Sequence, residues 1–218
     1  MGSDRRLPDA TVSRLPVYLQ VLVEAAEGGR ETLSSDELAT AAGLTSAKVR
    51  KDLSLLGSYG TRGVGYDIAE LTDEISAVLG LDVDRPVVIV GVGNLGSALA
   101  NYDGFTRRGF TVAALLDADP AKAGMLVGGH RVQPADAMRR IVTENDVTIA
   151  VLATPARYAQ HVAEELVEAG VTAILNFAPV HLELPDHVSV RTVDLSTELQ
   201  ILSFYEQLSS QLPTIATG

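Results

Sequence analysis

The apolar run Val87-Val88-Ile89-Val90 opens directly into Gly91-Val92-Gly93-Asn94-Leu95-Gly96, and few folds accept that junction. Four consecutive aliphatic residues are too apolar for a strand with one wet face and suit a parallel sheet covered on both sides. Glycines at G-x-G-x-x-G spacing let the backbone turn tightly and come close to a phosphate, while the helix that follows offers free N–H groups and the positive end of its dipole. That helix is expected over Ser97 to Tyr102, and a second strand, Val112–Leu116, leads to Asp117, 21 residues after Gly96. An acid at this spacing accepts from ribose hydroxyls and repels a 2′-phosphate, so NAD and NADH are the expected cofactors rather than NADP. Asp119 competes for the same role. Gly91, Val92, Gly93, Asn94, Leu95 and Gly96 are the expected pyrophosphate cradle.

Three further apolar runs, Val147–Ala153, Ala173–Leu175 and Val188–Val193, alternate with helical segments. Ala153-Thr154-Pro155 and Asn176-Phe177-Ala178-Pro179 each follow one of these strands, at the sheet end where ligands of doubly wound folds lie. Thr154, Pro155, Asn176, Phe177 and Ala178 are therefore assigned to the nicotinamide end of the pocket, and Tyr102 and Phe105 are expected beside Phe177 as an apolar, water-poor wall that favours NADH. The four histidines (His130, His161, His181, His187) are scattered, with no paired acid at a recognisable spacing, and read as surface or loop residues. A dehydrogenase needs a proton donor next to the hydride centre. Binding without turnover is the expectation. A small oxidoreductase or a CoA-binding ligase subunit remains the alternative.

The chain has no cysteine, which excludes disulfides, thiolate metal sites and thiol switches, so any redox sense must come from a bound cofactor. No run of about 18 apolar residues exists to span a membrane, and the first six residues lack a signal-peptide core, so a cytoplasmic protein is expected. The net charge of −11 opposes nucleic-acid binding at first sight. Its distribution reverses that reading: residues 1–66 balance eight Lys/Arg against eight Asp/Glu, and the acidic excess lies beyond them. Two of the three lysines, Lys48 and Lys51, fall in one short helix.

Residues 1–66 read as three helices and a glycine-rich end. The first spans Val12–Glu27, with Pro16 near its start, and Gly28-Gly29 closes it. The second follows Ser34-Ser35 and stops at Gly43, and Thr45 caps the third. Ala42-Gly43-Leu44-Thr45 is then the turn of a helix-turn-helix. Val49, Leu53 and Leu56 form the buried stripe of the third helix. Ala47, Lys48, Arg50, Lys51 and Ser54 remain for phosphates and base edges in a major groove. Gly57 to Tyr66 reads as a two-stranded wing carrying Tyr59 and Arg62 toward DNA, and Arg5, Arg6 and Arg14 are candidates for backbone contacts. A connecting helix is expected over Ile68–Leu79 and a linker over Asp82 to Pro86. A last amphipathic helix, Glu198 to Leu212, stops before Pro213. Its stripe is Leu199, Leu202, Tyr205, Leu208 and Leu212, widened by Ile201 and Phe204. A constitutive DNA-binding protein with a vestigial nucleotide fold is a further reading of this pattern.

Val49-Arg50-Lys51-Asp52-Leu53-Ser54, the segment Gly57 to Tyr66, Gly91 to Gly96 and Asn176 to Pro179, in that order, resemble the Rex family of redox-sensing transcriptional repressors. The resemblance spans nearly the whole chain. It implies an α/β protein with an N-terminal winged helix-turn-helix domain and connecting helix over residues 1–82. A Rossmann-type doubly wound parallel sheet over 83–196 would follow, then a C-terminal helix over 197–218 swapped between the subunits of a homodimer. It implies binding to palindromic double-stranded operator DNA while NADH is scarce, and release when NADH rises. Tyr102 and Asp194 fall where the family makes a polar contact with an arginine of the first helix. Gln20 stands in that arginine's place here, able to hydrogen-bond but not to form the ion pair.

Overall fold

The computed structural model describes residues 7–57, 60–61 and 63–211. Tyr59 and Arg62 lie outside the described residues, as do Arg5, Arg6 and Leu212. Backbone contacts divide the chain into two units, Met1–Asp84 and Arg85–Gly218.

The first unit runs α1 (Asp9–Val12), α2 (Leu15–Glu27), β1 (Thr32–Leu33), α3 (Ser35–Ala41), α4 (Ser46–Leu56), β2 (Tyr66–Asp67) and α5 (Ile68–Leu79). The single first helix expected from Val12 is two helices, broken at Ser13-Arg14. Pro16 has no N–H to give the Val12 carbonyl, so the turn cannot be continued across it, whereas the proline sits well in the first turn of α2. Ser34 and Glu37 form a reciprocal capping box on α3: Glu37 N–H donates to Ser34 Oγ at 3.2 Å and Ser34 N–H to Glu37 Oε2 at 2.9 Å. These bonds, with Arg30 beyond them, hold the Glu37 carboxyl down to about 2. Thr45 caps α4 through the Lys48 N–H, and Gly57, at φ 101°, ends it. Leu15, Tyr18, Leu22, Leu38, Val49, Leu53, Ile68, Leu71 and Ile75 make the core.

The strand that closes the expected two-stranded wing pairs outside the glycine segment. β2 pairs antiparallel with β1, Leu33 opposite Tyr66, and within the glycine segment only the bridge Thr61–Gly65 forms among the described residues. A Cβ on Gly65, at φ +103°, would lie 2.6 Å from the Leu33 carbonyl oxygen. The glycine is what lets the segment come down onto β1.

The second unit contains β3 (Arg85–Val90), α6 (Asn94–Ala100), β4 (Phe110–Asp117), β5 (Leu126–Val127), β6 (His130–Pro134), α7 (Met138–Glu144), β7 (Ile149–Leu152), α8 (Ala156–Ala169), β8 (Ala173–Asn176), β9 (Ser189–Thr192) and α9 (Leu195–Gln211). The sheet order is β5-β6-β4-β3-β7-β8-β9, parallel throughout except for the β5–β6 hairpin. This is the doubly wound arrangement, and its reversal of strand order at β3 opens a crevice beyond the strand carboxyl ends. Three expectations need correction. The linker ends at Asp84, because Arg85 and Pro86 already pair with β4; β7 joins only at Val87, so the proline sits where one neighbour pairs. The glycine-turn helix begins at Asn94, inside the motif, and stops at Ala100 rather than Tyr102. The last helix begins at Leu195 because Asp194 caps it, accepting from Ser196 N–H and Thr197 Oγ. β6 was not anticipated: Val132 is its one fully buried apolar residue, so the strand carries no periodicity to detect.

Candidate functional site

A cavity of about 880 Å³ lies at the carboxyl ends of β3, β4 and β7. Gly91, Gly93 and Leu95 of the glycine turn line it, facing Asp117, Asp119, Thr154, Pro155 and Phe177. The three glycines do different work. A Cβ on Gly96 would collide with the Gly91 carbonyl oxygen, so this glycine seats α6 against the turn. Gly91, at φ +95°, has the Ala153 carbonyl oxygen 2.6 Å from where its Cβ would be. Gly93 has nothing within 4 Å on that side. The space beside it is open, and the next residues start α6. Thr154, whose backbone lies against Gly91, has its Oγ1 buried and, among the described residues, without a hydrogen-bond partner. A hydroxyl without a partner beside a glycine cradle suits a phosphate or ribose oxygen. The residues present therefore fit a dinucleotide.

Asp117 is already engaged within the fold. Its Oδ2 accepts from Val92 N–H at 2.7 Å and from Lys122 Nζ at 2.8 Å, and its Oδ1 accepts from Asp119 N–H at 2.8 Å. Burial opposes its charge, but the Lys122 ammonium and the two backbone donors outweigh burial and hold the carboxyl below the ordinary range. Asp119, whose Oδ1 caps Ala121 N–H, keeps its carboxylate exposed at the cavity wall.

Asn176 is fully buried and satisfied by its own loop, donating to the Val180 carbonyl and accepting from Ala178 N–H. With the buried Ala178 it shapes the turn that holds Phe177 at the wall. Asn94 is exposed at the start of α6, and Val92 points its side chain into the core. Tyr102 stands apart from the cavity lining. Its ring packs edge-on against Phe105, lies over Gly104, and has Arg108 Nη1 3.5 Å from its hydroxyl. Lys122, Met138, Tyr158, His161 and Glu165 also line the cavity and were missed. A signal existed for α8: Tyr158, His161, Val162 and Glu165 are spaced i, i+3, i+4, i+7 and so share one helix face behind Pro155.

In the first unit Ala47, Lys48, Arg50 and Lys51 are exposed along α4, and Ser54 is half-buried with its hydroxyl donating to the Lys51 carbonyl. Arg50 Nη1 donates to Ser35 Oγ at 2.9 Å, which aims the guanidinium along a groove between α3, α4 and residues 60–61 and 63–66. Arg14 is a correction. Its guanidinium makes a two-pronged pair with Asp52, Nε to Oδ2 at 2.6 Å and Nη2 to Oδ1 at 2.7 Å, so its charge is spent inside the fold. Tyr18 Oη and Thr11 Oγ1 donate to the same carboxylate. Asp52 is 2% exposed, on the inner face of α4 between Lys51 and Leu53. Four hydrogen bonds, from Thr11 of α1, Tyr18 of α2 and Arg14 between them, thus fix the rotation of the cationic helix. Gln20 is exposed on α2 and donates to Glu24.

Residues 6–54 match the family model described as a putative DNA-binding protein N-terminus, and residues 82–180 match the CoA binding domain. The redox-sensing transcriptional repressor Rex of Streptomyces avermitilis is 59% identical over 214 residues, covering 98% of this chain and 85% of the relative. A Rex-family repressor, RSP, has been solved with β-NAD+ and operator DNA; it superposes with a TM-score of 0.86 at 32% identity, over 96% of this chain and 100% of that one. RSP with β-NADH gives a TM-score of 0.83 at 33% identity, over 94% and 98% of the two chains.

Proposed function

The chain belongs to the Rex family of redox-sensing transcriptional repressors, and on that premise we propose that its first unit reads operator DNA while its second binds NAD(H) and releases the first. The observation that carries this reading is the presence in one chain of an outward cationic helix and of a cavity with an open glycine wall. The residues proposed to hold the pyrophosphate are the backbone groups of Gly91 to Gly96. Thr154, Pro155 and Phe177 line the nicotinamide end.

The nicotinamide ring, when bound, supplies a cation in its oxidised form and a neutral ring in its reduced form. Phe177 and the apolar wall beside it make desolvating the cation costly, which favours the reduced form. The proposed partner is a second copy of this chain, joined through α9 in the swapped manner of the family. Leu195, Leu199, Leu202, Phe204, Tyr205 and Leu208 are all more than half exposed on that helix, a larger apolar stripe than a monomer ordinarily leaves in water. Two recognition helices on a palindrome must stay about 34 Å apart, one helical turn of DNA. Cofactor binding moves them only in proportion to its preference for one dimer geometry over the other. Among the described residues no helix is long and apolar enough to cross a membrane, in keeping with action on DNA in the cytoplasm.

A gel shift on a palindromic operator tests the coupling. Adding NADH should release the DNA at far lower concentration than adding NAD, and equal potency would overturn the redox reading. Lys51→Ala should weaken operator affinity roughly tenfold and reduce the salt dependence by about one counter-ion, if it holds a phosphate. Arg50→Ala should act similarly. NADH binding, followed by cofactor fluorescence, stays unchanged in both; its loss would mean a folding defect instead.

A further inference from the structure

A second recess lies where α7 covers the sheet, and it shares no lining residue with the glycine-turn cavity. It begins with an irregularity in β4. Val112 stands opposite Val87 and Ala114 opposite Val88, so Ala113 is an extra residue, a β-bulge in a parallel pair. Bulges in parallel pairs are rare, and they re-aim side chains that strict alternation would keep on opposite faces. Ala113 and Ala114 both line the recess, just before Leu115, where the pairing of β4 with β6 starts. These small side chains leave a space of about 250 Å³, with Ile141 of α7 as a further apolar wall.

The remaining walls are polar. On β6, Arg131 and Gln133 alternate with Val132, which packs on the α6 side of the sheet, so both stand on the α7 side. Across from them α7 contributes Arg140, Glu144 and Asn145. Residues 85–218 hold nine Lys/Arg against fourteen Asp/Glu, yet the segment 131–140 holds three arginines and one acid. Donor capacity is left over on both sides. Arg140 Nη1 donates to Glu144 Oε2 at 2.8 Å and Arg131 Nη1 to the Gly124 carbonyl at 3.2 Å. Each contact uses one of the five N–H donors of its guanidinium. The half-buried Gln133 amide has no hydrogen-bond partner among the described residues.

We propose that this recess binds a short dicarboxylate, one end held by Arg131 and Gln133 and the other by Arg140, with the hydrocarbon between them over Ala113, Ala114 and Ile141. The space equals that of about eight water molecules, enough for a four-carbon diacid and too little for a nucleotide. Guanidinium–carboxylate bonds are charge-assisted and can be two-pronged. A ligand with a carboxylate at each end therefore matches arginines on facing walls and an apolar floor better than a compact anion does. The site stands on this geometry alone and does not depend on what fills the larger cavity.

The full-length protein is titrated calorimetrically with sodium succinate at constant ionic strength, and saturable binding of one succinate per chain is expected. Arg131→Gln and Arg140→Gln should each weaken it roughly tenfold, the effect of one charge-assisted contact. Both side chains are exposed, so the fold should tolerate either change. Arg139→Gln, on the same helix but paired with Glu168 outside the recess, should leave binding unchanged. Glu144→Gln should tighten it severalfold, because Arg140 loses its internal competitor. Weaker binding there would mean that the ligand brings a cation to Glu144, and the dicarboxylate assignment would be wrong. Inorganic phosphate should bind at least roughly tenfold more weakly than succinate, and equal affinity overturns the assignment likewise. Absence of saturation, or equal losses in the Arg139 and Arg140 variants, overturns the site itself.

Discussion

Gly93→Asp is expected to leave operator binding intact and to abolish its response to NADH. Gly93 is the N-cap of α6, at φ −86° and ψ −161°, a conformation any residue adopts. Nothing in the protein lies within 4 Å of where its Cβ would be. Aspartate is among the preferred N-cap residues, so the substitution should cap the helix and cost no stability. For the cofactor the result is the reverse. The new carboxylate occupies the open wall where the pyrophosphate is expected. Two unit charges 4 Å apart at an intermediate dielectric repel by about 4 kcal/mol, close to three orders of magnitude in affinity. Cofactor fluorescence and a gel shift on the same sample check both halves. Retained release by NADH would show that the pyrophosphate does not lie at this turn. Gly96→Ala makes a useful contrast, since its Cβ would strike the Gly91 carbonyl and the fold itself should suffer.

The second large effect is expected at Asp52, and it concerns stability. Asp52→Ala removes the acceptor of Arg14, Tyr18 and Thr11 at once and leaves a half-buried guanidinium and a buried phenol without their partner. Removing one member of a buried charge pair typically costs about 3–5 kcal/mol. Urea denaturation of the first unit should register a loss of that order, whereas Tyr18→Phe should cost only about 1 kcal/mol. Operator affinity should fall more than Lys51→Ala alone would cause, because the whole helix loses its fixed rotation. The pH dependence follows from the direction of the shift. Burial pushes the Asp52 carboxyl upward, but the hydrogen bonds from Arg14, Tyr18 and Thr11 prevail and hold it below its ordinary value. A carboxyl depressed in the folded state contributes fully above its unfolded pKa of about 3.9 and loses that contribution as pH falls through the folded value. The unaltered protein should therefore shed stability in the first unit on acidification below about pH 4. Asp52→Ala should show a flatter profile there. A cost under about 1 kcal/mol would mean that the network is incidental.

The elements with strong local signals were legible from the residues. Ser34, Thr45 and Asp67 each cap a helix whose start the sequence marks, and Gly57 and Gly80 end helices in the left-handed conformation that glycine favours. The strands β3, β4, β7, β8 and β9 fall on the apolar runs, within a few residues at their ends. Illegible elements lack such signals. β6 is polar along most of its length and exists because the exposed edge of β4 offers it backbone partners. The break between α1 and α2 depends on a missing N–H one turn after it, and the pairing of β2 with β1 joins segments over thirty residues apart. In the cavity, Lys122 and the Tyr158–Glu165 face of α8 lie outside the glycine motif, so the motif alone does not point to them.

The sequence by itself determined that a nucleotide-type sheet follows a helix-turn-helix, and which glycines stand at the turn between strand and helix. Those properties are carried by neighbours along the chain, through backbone freedom, capping and the period of apolar residues. Only the tertiary structure decided what the charged side chains do. Arg14 and Asp117 looked like surface groups waiting for a ligand, yet each is committed to a partner inside the fold, Asp52 in one case and Lys122 with Val92 in the other. A carboxylate's role depends on which donors the folded chain brings within 3 Å of it, and no local pattern encodes that distance.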